Sequence, residues 1–155
     1  MDPISSSRRI EATAPQVYAQ ITDLRDHWRL ADPHVRLLEL DGANGEPADG
    51  ATVSLRGPLG IRRHAVTRVR ERTPPHRLTG EALVGRGTRA QVTWTLESPA
   101  ATRPNPTTLV CLQARLLEAT PLDRVVLALG GRWWLARAFA ATLARLDRQV
   151  AAKPH

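Results

Sequence analysis

One long amphipathic segment near the C-terminus limits the folds that this chain can adopt. Residues 120–150 carry the longest helical pattern in the sequence, and Thr120, Pro121 and Asp123 mark its start. Thr can cap the first turn, Pro fits the first helical position, and an acidic residue there favours the helix dipole. A helical projection predicts one broad apolar face, formed by Leu129, Trp133, Ala136, Phe139, Ala140, Leu143, Leu146 and Val150. So wide an apolar face requires a large partner surface elsewhere in the chain.

The pair Gly130-Gly131 interrupts this helical pattern. Because glycine is a poor helix former, the pair predicts a bend or break between a short apolar turn, residues 122–129, and the main helix. Arg132 follows directly and projects onto the apolar face between Trp133 and Phe139. If that face is buried, the guanidinium needs an anion, a hydrogen-bond partner or a cavity mouth. If the bend changes the helical phase, Arg132 reaches water instead. The sequence leaves both interpretations open.

Most of the remaining sequence alternates between apolar and polar residues, as β-strands do. The pattern predicts a strand over residues 4–11, a short helix over 14–24 that begins with a capping box of Thr13 and Gln16, and a further helical turn over 26–31. Six more strands are predicted over residues 35–41, 51–56, 61–72, 78–84, 88–97 and 108–118. Their hairpin-length connections favour an antiparallel meander. Only the C-terminal helix is long enough to cover the apolar face of such a sheet.

The strand over residues 61–72 has two contrasting faces. The face predicted to point at the core holds Ile61, Ala65, Thr67 and Val69, and the solvent face holds Arg62, Arg68, Arg70 and Arg72. His64 has the parity of these arginines, which predicts a surface position. A β-bulge would turn His64 or Arg63 inward. Whether His64 faces solvent or a cavity is therefore left open.

Length and charge exclude several classes of protein. The chain has 155 residues, 42% of them hydrophobic, and suits one domain with an ordered core over residues 4–150 and a frayed tail over 151–155. No apolar run is long enough to span a bilayer and no signal-peptide core is present, so we expect a cytoplasmic location without stable membrane insertion. The net charge of +7 comes almost entirely from scattered arginines, so we expect no nucleic-acid partner.

Few residues have the spacing of a catalytic or metal site. The single cysteine, Cys111, excludes an internal disulfide and a cysteine metal cluster. The five histidines lack metal-ligand spacing, and no phosphate loop, zinc-protease motif or nucleophile elbow is present. We therefore expect neither a metal nor another cofactor.

The order of elements and the text of the N-terminal half resemble the START-like (SRPBCC) superfamily, which includes polyketide cyclases/dehydratases and lipid-transfer proteins. Residues 9–18 (RIEATAPQVY), followed by Ile21-Thr22-Asp23-Leu24 and Trp28, are similar to the family's opening strand and first helix. Residues 37–42 and 94–97 also sit where family members have similar text. The resemblance implies an α+β helix-grip fold, in which a curved antiparallel sheet of about seven strands grips the C-terminal helix, with two short helices after the first strand.

The resemblance also implies an elongated apolar cavity between sheet and helix. Small residues on the inward strand faces, among them Gly80, Ala82, Ala90 and Ala114, suit such a cavity. The expected wall residues are Trp94, Leu112, Phe139 and Leu143. Trp28 and Trp133 are expected at the mouth, with His27 beside Trp28, and Arg132 is the expected polar anchor.

Three functions are compatible with these observations. The first is binding of an apolar or aromatic small molecule by a carrier or sensor. The second is a polyketide cyclase/dehydratase-type enzyme, which needs inward-facing His, Arg, Tyr or acidic residues. The third is a protein-interaction module that uses Trp134 and the basic helix face beside Arg137 and Arg145, and this one predicts a filled core. The sequence does not decide whether a reaction is catalysed or whether the chain forms a homodimer.

Overall fold

A single antiparallel sheet forms the centre of the molecule. The computed structural model describes residues 3–22, 35–41, 50–56, 62–85, 87–98 and 106–152. Seven strands pair in the order β1-β7-β6-β5-β4-β3-β2. The chain thus starts at one edge, crosses to the other with β2, and returns strand by strand until β7 pairs with β1. The strands are β1 (Ile4–Ile10), β2 (Val35–Asp41), β3 (Gly50–Arg56), β4 (Arg62–Thr73), β5 (Arg77–Val84), β6 (Thr88–Glu97) and β7 (Thr108–Glu118).

The first helix, α1 (Ala14–Thr22), begins with the predicted capping box. The Gln16 backbone N–H donates to the Thr13 hydroxyl oxygen at 3.3 Å, and the Thr13 N–H donates to the Gln16 side-chain oxygen at 2.9 Å. These bonds satisfy donors that a helix start leaves unpaired. The helix buries Ala14, Val17, Tyr18 and Ile21. The predicted end of this helix at residue 24 and the predicted turn over 26–31 lie outside the described residues.

The C-terminal helical segment has three parts. They are α2 (Pro121–Val126), a π-helical turn (Leu127–Gly131) and α3 (Arg132–Ala152). The Thr120 hydroxyl accepts the Asp123 N–H at 3.2 Å, as expected of a capping residue. Gly130 has a φ of 123° and separates the two helices, which confirms the predicted bend. The last helix continues to Ala152, so the first two residues of the predicted tail are helical.

The long helix α3 lies mainly against β1, with further contacts to α1 and β7. Arg8 on β1 forms an ion pair with Asp147 on α3 at 2.9 Å. The main core joins this helix to α1 and to the sheet, through Ile10, Ala12, Ala14, Val17, Tyr18, Ile21, Leu78, Trp94, Leu96, Val110, Leu112, Leu143, Leu146 and Val150. The arrangement confirms the predicted α+β helix-grip fold.

The predicted apolar face of the C-terminal helix was only partly right. Leu143, Leu146 and Val150 are almost fully buried, and Ala136 and Phe139 are half-buried. Leu129 and Trp133 are instead 82% and 64% exposed, and Ala140 is exposed as well. The positive φ of Gly130 and the wider π-helical turn change the helical phase. A single helical projection therefore cannot describe the residues before and after Gly130. The buried face of α3 is therefore a narrower stripe.

The predicted faces of β4 hold only as far as Val69. Up to that point Ala65 is buried and Arg62, His64 and Arg68 are exposed. The pairing with β5 then shifts register between Val69 and Glu71, which is the signature of a β-bulge. Beyond it Arg72 pairs with Leu78, an inward-facing core residue. Since paired residues of antiparallel strands share a face, the bulge places Arg72 in a different row from Arg70, although its side chain is exposed, as the sequence predicted.

Candidate functional site

The long helix α3 leaves part of the middle strands uncovered on the side of the sheet that faces it. We call this set the central band: Thr67, Val69, Gly80, Ala82, Ala90, Val92, Ala114 and Leu116. Strand pairing places Thr67 beside Ala82, Ala82 beside Ala90, and Ala90 beside Leu116. A second row runs from Val69 through Gly80 and Val92 to Ala114. Every member is only half-buried, although most are small or apolar.

The neighbouring rows are closed on both sides of the central band. On one side Leu78, Trp94 and Leu112 pair in a row, and each is only 4% exposed. On the other side Ala65 is 1% exposed and Thr88 is 7% exposed, while Val84 between them is half-buried. We interpret the half-exposed band between these more deeply buried rows as a cleft. Its small side chains leave room beside the half-buried Phe139, which packs against the core together with Val69 and Val92.

Arg132 is the polar residue at the start of α3. Its side chain is half-buried, and its Nη1 atom is buried without a hydrogen-bond partner among the described residues. A buried guanidinium nitrogen without a partner is costly. Neither of the two sequence-based interpretations describes this state fully, because Arg132 is neither fully buried nor free in solvent.

A buried carboxylate fixes the helical segment to the sheet at the end of the cleft near Thr88. Asp123 on α2 accepts hydrogen bonds from the Arg63 guanidinium on β4 and the Thr88 hydroxyl on β6. Burial disfavours the charged carboxylate, but the bonds from Thr88 and Arg63, the charge of Arg63 and the bond from Thr120 outweigh it and hold the pKa of Asp123 below its ordinary value. With every oxygen engaged by protein donors, this group is a structural link.

Tyr18 lies in the buried core that contains Trp94. Its side chain is 9% exposed, and its hydroxyl is buried without a partner among the described residues. Burial raises the pKa of Tyr18, and the positive charge of Arg72 acts in the opposite direction. The hydroxyl is therefore a neutral donor at neutral pH.

The structure places the predicted site residues in three different settings. Trp94, Leu112 and Leu143 are buried core residues, and the first two close one end of the cleft. Phe139 is half-buried and packs against the same core as Val69 and Val92, and Arg132 is half-buried at the start of α3. Trp133 is exposed, with the Arg137 guanidinium 4.8 Å from its ring centroid. A mouth residue can be exposed, so this corrects the expected burial of Trp133 while its contact with a ligand stays a prediction. His27 and Trp28 lie outside the described residues.

Three residues have roles in the structure that the sequence did not assign. Arg63 was considered inward only if a bulge turned it, although it has the inward parity of Ala65. Asp123 was noted only as a helix-start acid, and nothing local signals its bond to Thr88. The pairing of Arg72 with Leu78 depends on a bulge that the alternation pattern does not show.

Within the described ranges there is neither a cluster of metal-binding side chains nor a helix that could cross a membrane. No group of three or more His, Cys, Asp or Glu residues there could hold a metal ion. No described helix is long and apolar enough to cross a membrane. Burial and Glu97 raise the pKa of the Cys111 thiol, which disfavours the reactive thiolate.

Solved structures with this fold come from several organisms. A protein from Thermus thermophilus is 18% identical, with a TM-score of 0.75 over 97% of this chain and 98% of that one. A START superfamily protein from Mycobacterium smegmatis is 12% identical, with a TM-score of 0.68 over 96% and 97%. DynU16, from the dynemicin biosynthetic locus, is 18% identical with a TM-score of 0.60, and the alignment covers 98% of this chain but 48% of that one. At such identities these similarities establish the fold alone.

Comparison at the level of sequence gives the family. No curated protein matches the chain significantly. The family model described as polyketide cyclase / dehydrase and lipid transport matches residues 1–151. The chain therefore belongs to the polyketide cyclase/dehydrase and lipid transport family.

Proposed function

We propose that this protein binds a hydrophobic or aromatic small molecule in the cleft between the sheet and the C-terminal helix, as a carrier or sensor. The observation that carries the proposal is the central band, two half-exposed rows of mostly small and apolar side chains that lie between more deeply buried rows. Ligand sites are commonly concave and mostly apolar, with a few polar groups that fix orientation. Binding of an apolar ligand would remove this surface from water.

The half-buried Arg132 is the polar group that we assign to ligand orientation. Its Nη1 atom is buried without a partner in the described part of the chain. An oxygen on the ligand would accept from it, and an anionic oxygen would also gain from the positive charge. The expected ligand is therefore largely apolar with at least one carbonyl, phenolate or carboxylate oxygen.

Native mass spectrometry of the purified protein, compared with its denatured mass, tests this proposal. We expect a co-purified or added apolar molecule in a one-to-one ratio, which organic extraction would release for identification. The same spectra report whether the chain is a homodimer, which stays a prediction. A protein that arrives empty and also fails to bind a neutral hydrophobic dye would contradict the proposal.

The second candidate is an enzyme of the cyclase/dehydratase kind. The family name includes such enzymes, and the Tyr18 hydroxyl and Arg132 guanidinium could both donate protons or hydrogen bonds to a carbonyl substrate. One structural neighbour belongs to a biosynthetic locus. Turnover would appear as conversion of the extracted molecule on incubation with fresh protein, whereas a carrier would return it unchanged.

The interaction-module hypothesis loses support in two places. Trp134, on which it depended, is half-buried, and the exposed tryptophan is Trp133. The hypothesis also predicts a filled core, whereas the central band is half-exposed. We therefore rank it third.

A further inference from the structure

The side of α2 that faces away from the sheet is apolar and exposed to water. Leu122, Val125 and Leu129 follow at helical spacing and so share one side of α2 and the turn after it. Their side chains are 71%, 53% and 82% exposed. Trp133, one turn further and beyond the bend at Gly130, is exposed as well. We call these four residues the exposed patch.

The patch is more than scattered surface leucines. The described part of the chain has eight large hydrophobic side chains that are exposed, and four of them lie within residues 122–133. The opposite side of the same segment holds the buried Asp123, which is bonded to Arg63 and Thr88 on the sheet. The patch therefore does not contribute to the core. Clustered exposed apolar side chains commonly mark an interaction surface.

The charge around the patch is positive. Residues 119–146 contain one acidic residue, Asp123, whose charge is engaged by the Arg63 guanidinium. The same stretch contains four arginines. Among them Arg124 and Arg137 have exposed side chains, and the Arg137 guanidinium lies 4.8 Å from the ring centroid of Trp133. The partner that complements such a surface is apolar and anionic.

A second copy of the chain fits this surface poorly. A symmetric dimer would place the patch against itself and bring Arg124 and Arg137 toward their own copies, which is a repulsive arrangement. A protein partner would also need a groove shaped to Leu129, which protrudes at the bend. A fluid lipid surface needs no such groove, and its headgroup region accepts leucine and tryptophan side chains while arginines stay at the phosphates.

We propose that the exposed patch, together with Arg124 and Arg137, is a docking surface for an anionic lipid membrane. The apolar side chains enter the boundary between headgroups and acyl chains, and the two guanidinium groups lie at the lipid phosphates. The contact is peripheral, since it uses one side of a short segment, and it weakens with salt. It goes beyond the proposed function and needs no ligand in the cleft.

Co-sedimentation with two kinds of lipid vesicle tests the apolar part of the patch. One kind contains phosphatidylcholine and phosphatidylglycerol in equal parts, and the other contains phosphatidylcholine alone. We expect the wild type to bind the mixed vesicles and to bind the neutral ones far more weakly. Leu129→Gln should weaken binding to the mixed vesicles about tenfold, because one leucine no longer leaves water.

The matched control for Leu129→Gln is Leu83→Gln. Leu83 is also exposed, but it alternates with the inward-facing Ala82 and so lies on the side of the sheet away from the helix. We expect Leu83→Gln to bind as the wild type does. Trp133→Gln repeats the test beyond the bend and should also weaken binding. Urea unfolding should give Leu129→Gln and Trp133→Gln the stability of the wild type, because both side chains are exposed.

A second pair of variants tests the charge. Arg124→Gln and Arg115→Gln each remove one exposed arginine, so they change the net charge equally. Arg115 lies on β7 between the inward-facing Ala114 and Leu116, on the side of the sheet away from the helix. We expect Arg124→Gln to weaken binding to the mixed vesicles about fivefold, as one arginine near an anionic surface predicts. Arg115→Gln should have little effect.

The possible outcomes separate this proposal from the proposed function. A wild type that binds neither kind of vesicle refutes the docking surface and leaves ligand binding in the cleft untouched. Equal vesicle binding by Leu129→Gln, Trp133→Gln and Leu83→Gln would show attraction by general positive charge, and would refute it too. A dimer in native mass spectrometry that Leu129→Gln converts to monomer would identify a second copy as the occupant, which also overturns the proposal.

Discussion

At the scale of single residues, Asp123 is the charge on which the attachment of α2 to the sheet depends. It is 8% exposed and joins Arg63 on β4 to Thr88 on β6. Asp123→Asn removes the charge and leaves its buried donors poorly matched, so we expect a loss of about 1–3 kcal/mol in the free energy of unfolding, measured in urea. The control is Asp147→Asn, which breaks the exposed pair with Arg8 and should cost at most about 1 kcal/mol. Equal losses of unfolding free energy in the two variants would contradict the role of Asp123 as the buried link between α2 and the sheet.

The same carboxylate predicts how stability depends on pH. The pKa of Asp123 is lowered in the folded state, so its contribution is fully present above the unfolded pKa of about 3.9 and is lost as the pH falls through the lower folded value. The difference in unfolding free energy between the wild type and Asp123→Asn should therefore be constant from pH 7 to about 5 and shrink below about pH 4. Urea unfolding of both proteins across this range measures it. A difference in unfolding free energy that grew on acidification would contradict the lowered pKa of Asp123 in the folded state.

At the scale of secondary structure, Gly130 determines where the C-terminal helix bends. Its φ of 123° is rarely adopted by L-residues, and a Cβ there would meet nothing within 4 Å. Gly130→Ala should therefore cost only backbone strain, about 1–2 kcal/mol. Gly131→Ala should cost more, because its Cβ would lie 2.8 Å from the Val126 carbonyl oxygen. Thermal unfolding of the two variants beside the wild type measures the order. A Gly130→Ala variant as stable as the wild type would show that the bend can be straightened.

The local sequence pattern correctly predicted the elements that depend on interactions within one strand or one helical turn. The strands β6 and β7 were predicted with the bounds that the structure shows, because each alternates over most of its length and packs one face against the core. The capping box at Thr13 likewise involves only residues of one turn. Such elements need no knowledge of the rest of the molecule.

Local pattern failed where the backbone departs from a regular period. Gly130 signalled a bend, but the new helical phase depends on a positive φ and a π-helical turn, so Leu129 and Trp133 were placed on the wrong side. One inserted residue in β4 likewise changed the register of Arg72, which pairs with Leu78. The apolar half of the cleft could thus be predicted from small inward residues, whereas the bonds of Asp123 and the burial of the Tyr18 hydroxyl depend on contacts between distant segments.

At the scale of the whole molecule, the helix covers the sheet unevenly. It packs mainly on β1, so the edge of the sheet near β1 is closed and the middle strands are left partly open. The band between them has a buried, aromatic end at Trp94 and an ion-paired end at Asp123. The apolar floor and the buried nitrogen of Arg132, which has no partner among the described residues, are the features on which the proposed binding of an amphipathic ligand rests.

Filling the cleft is the most direct test of this architecture. Ala114 lies in the central band between Ile4 and Val92 and is half-buried, whereas Ala65 faces the same side but is 1% exposed and tightly packed. Ala114→Leu should weaken binding of the neutral hydrophobic dye N-phenyl-1-naphthylamine about tenfold or more by occupying its space, while leaving stability unchanged or raising it by about 0.5–2 kcal/mol. Ala65→Leu should cost about 1–3 kcal/mol through overpacking.

Fluorescence titration and urea unfolding of the two alanine variants provide the readouts. Because both substitutions add the same atoms to one face of one sheet, any difference between them reflects the space beside each residue. If Ala114→Leu destabilised the fold as much as Ala65→Leu, the central band would be packed core. In that case no ligand could enter there, and the half-exposure of its eight members would reflect shallow surface. If the variant instead keeps its stability and loses the dye, the open space lies between the middle strands and the helix, as the pairing of the rows indicates.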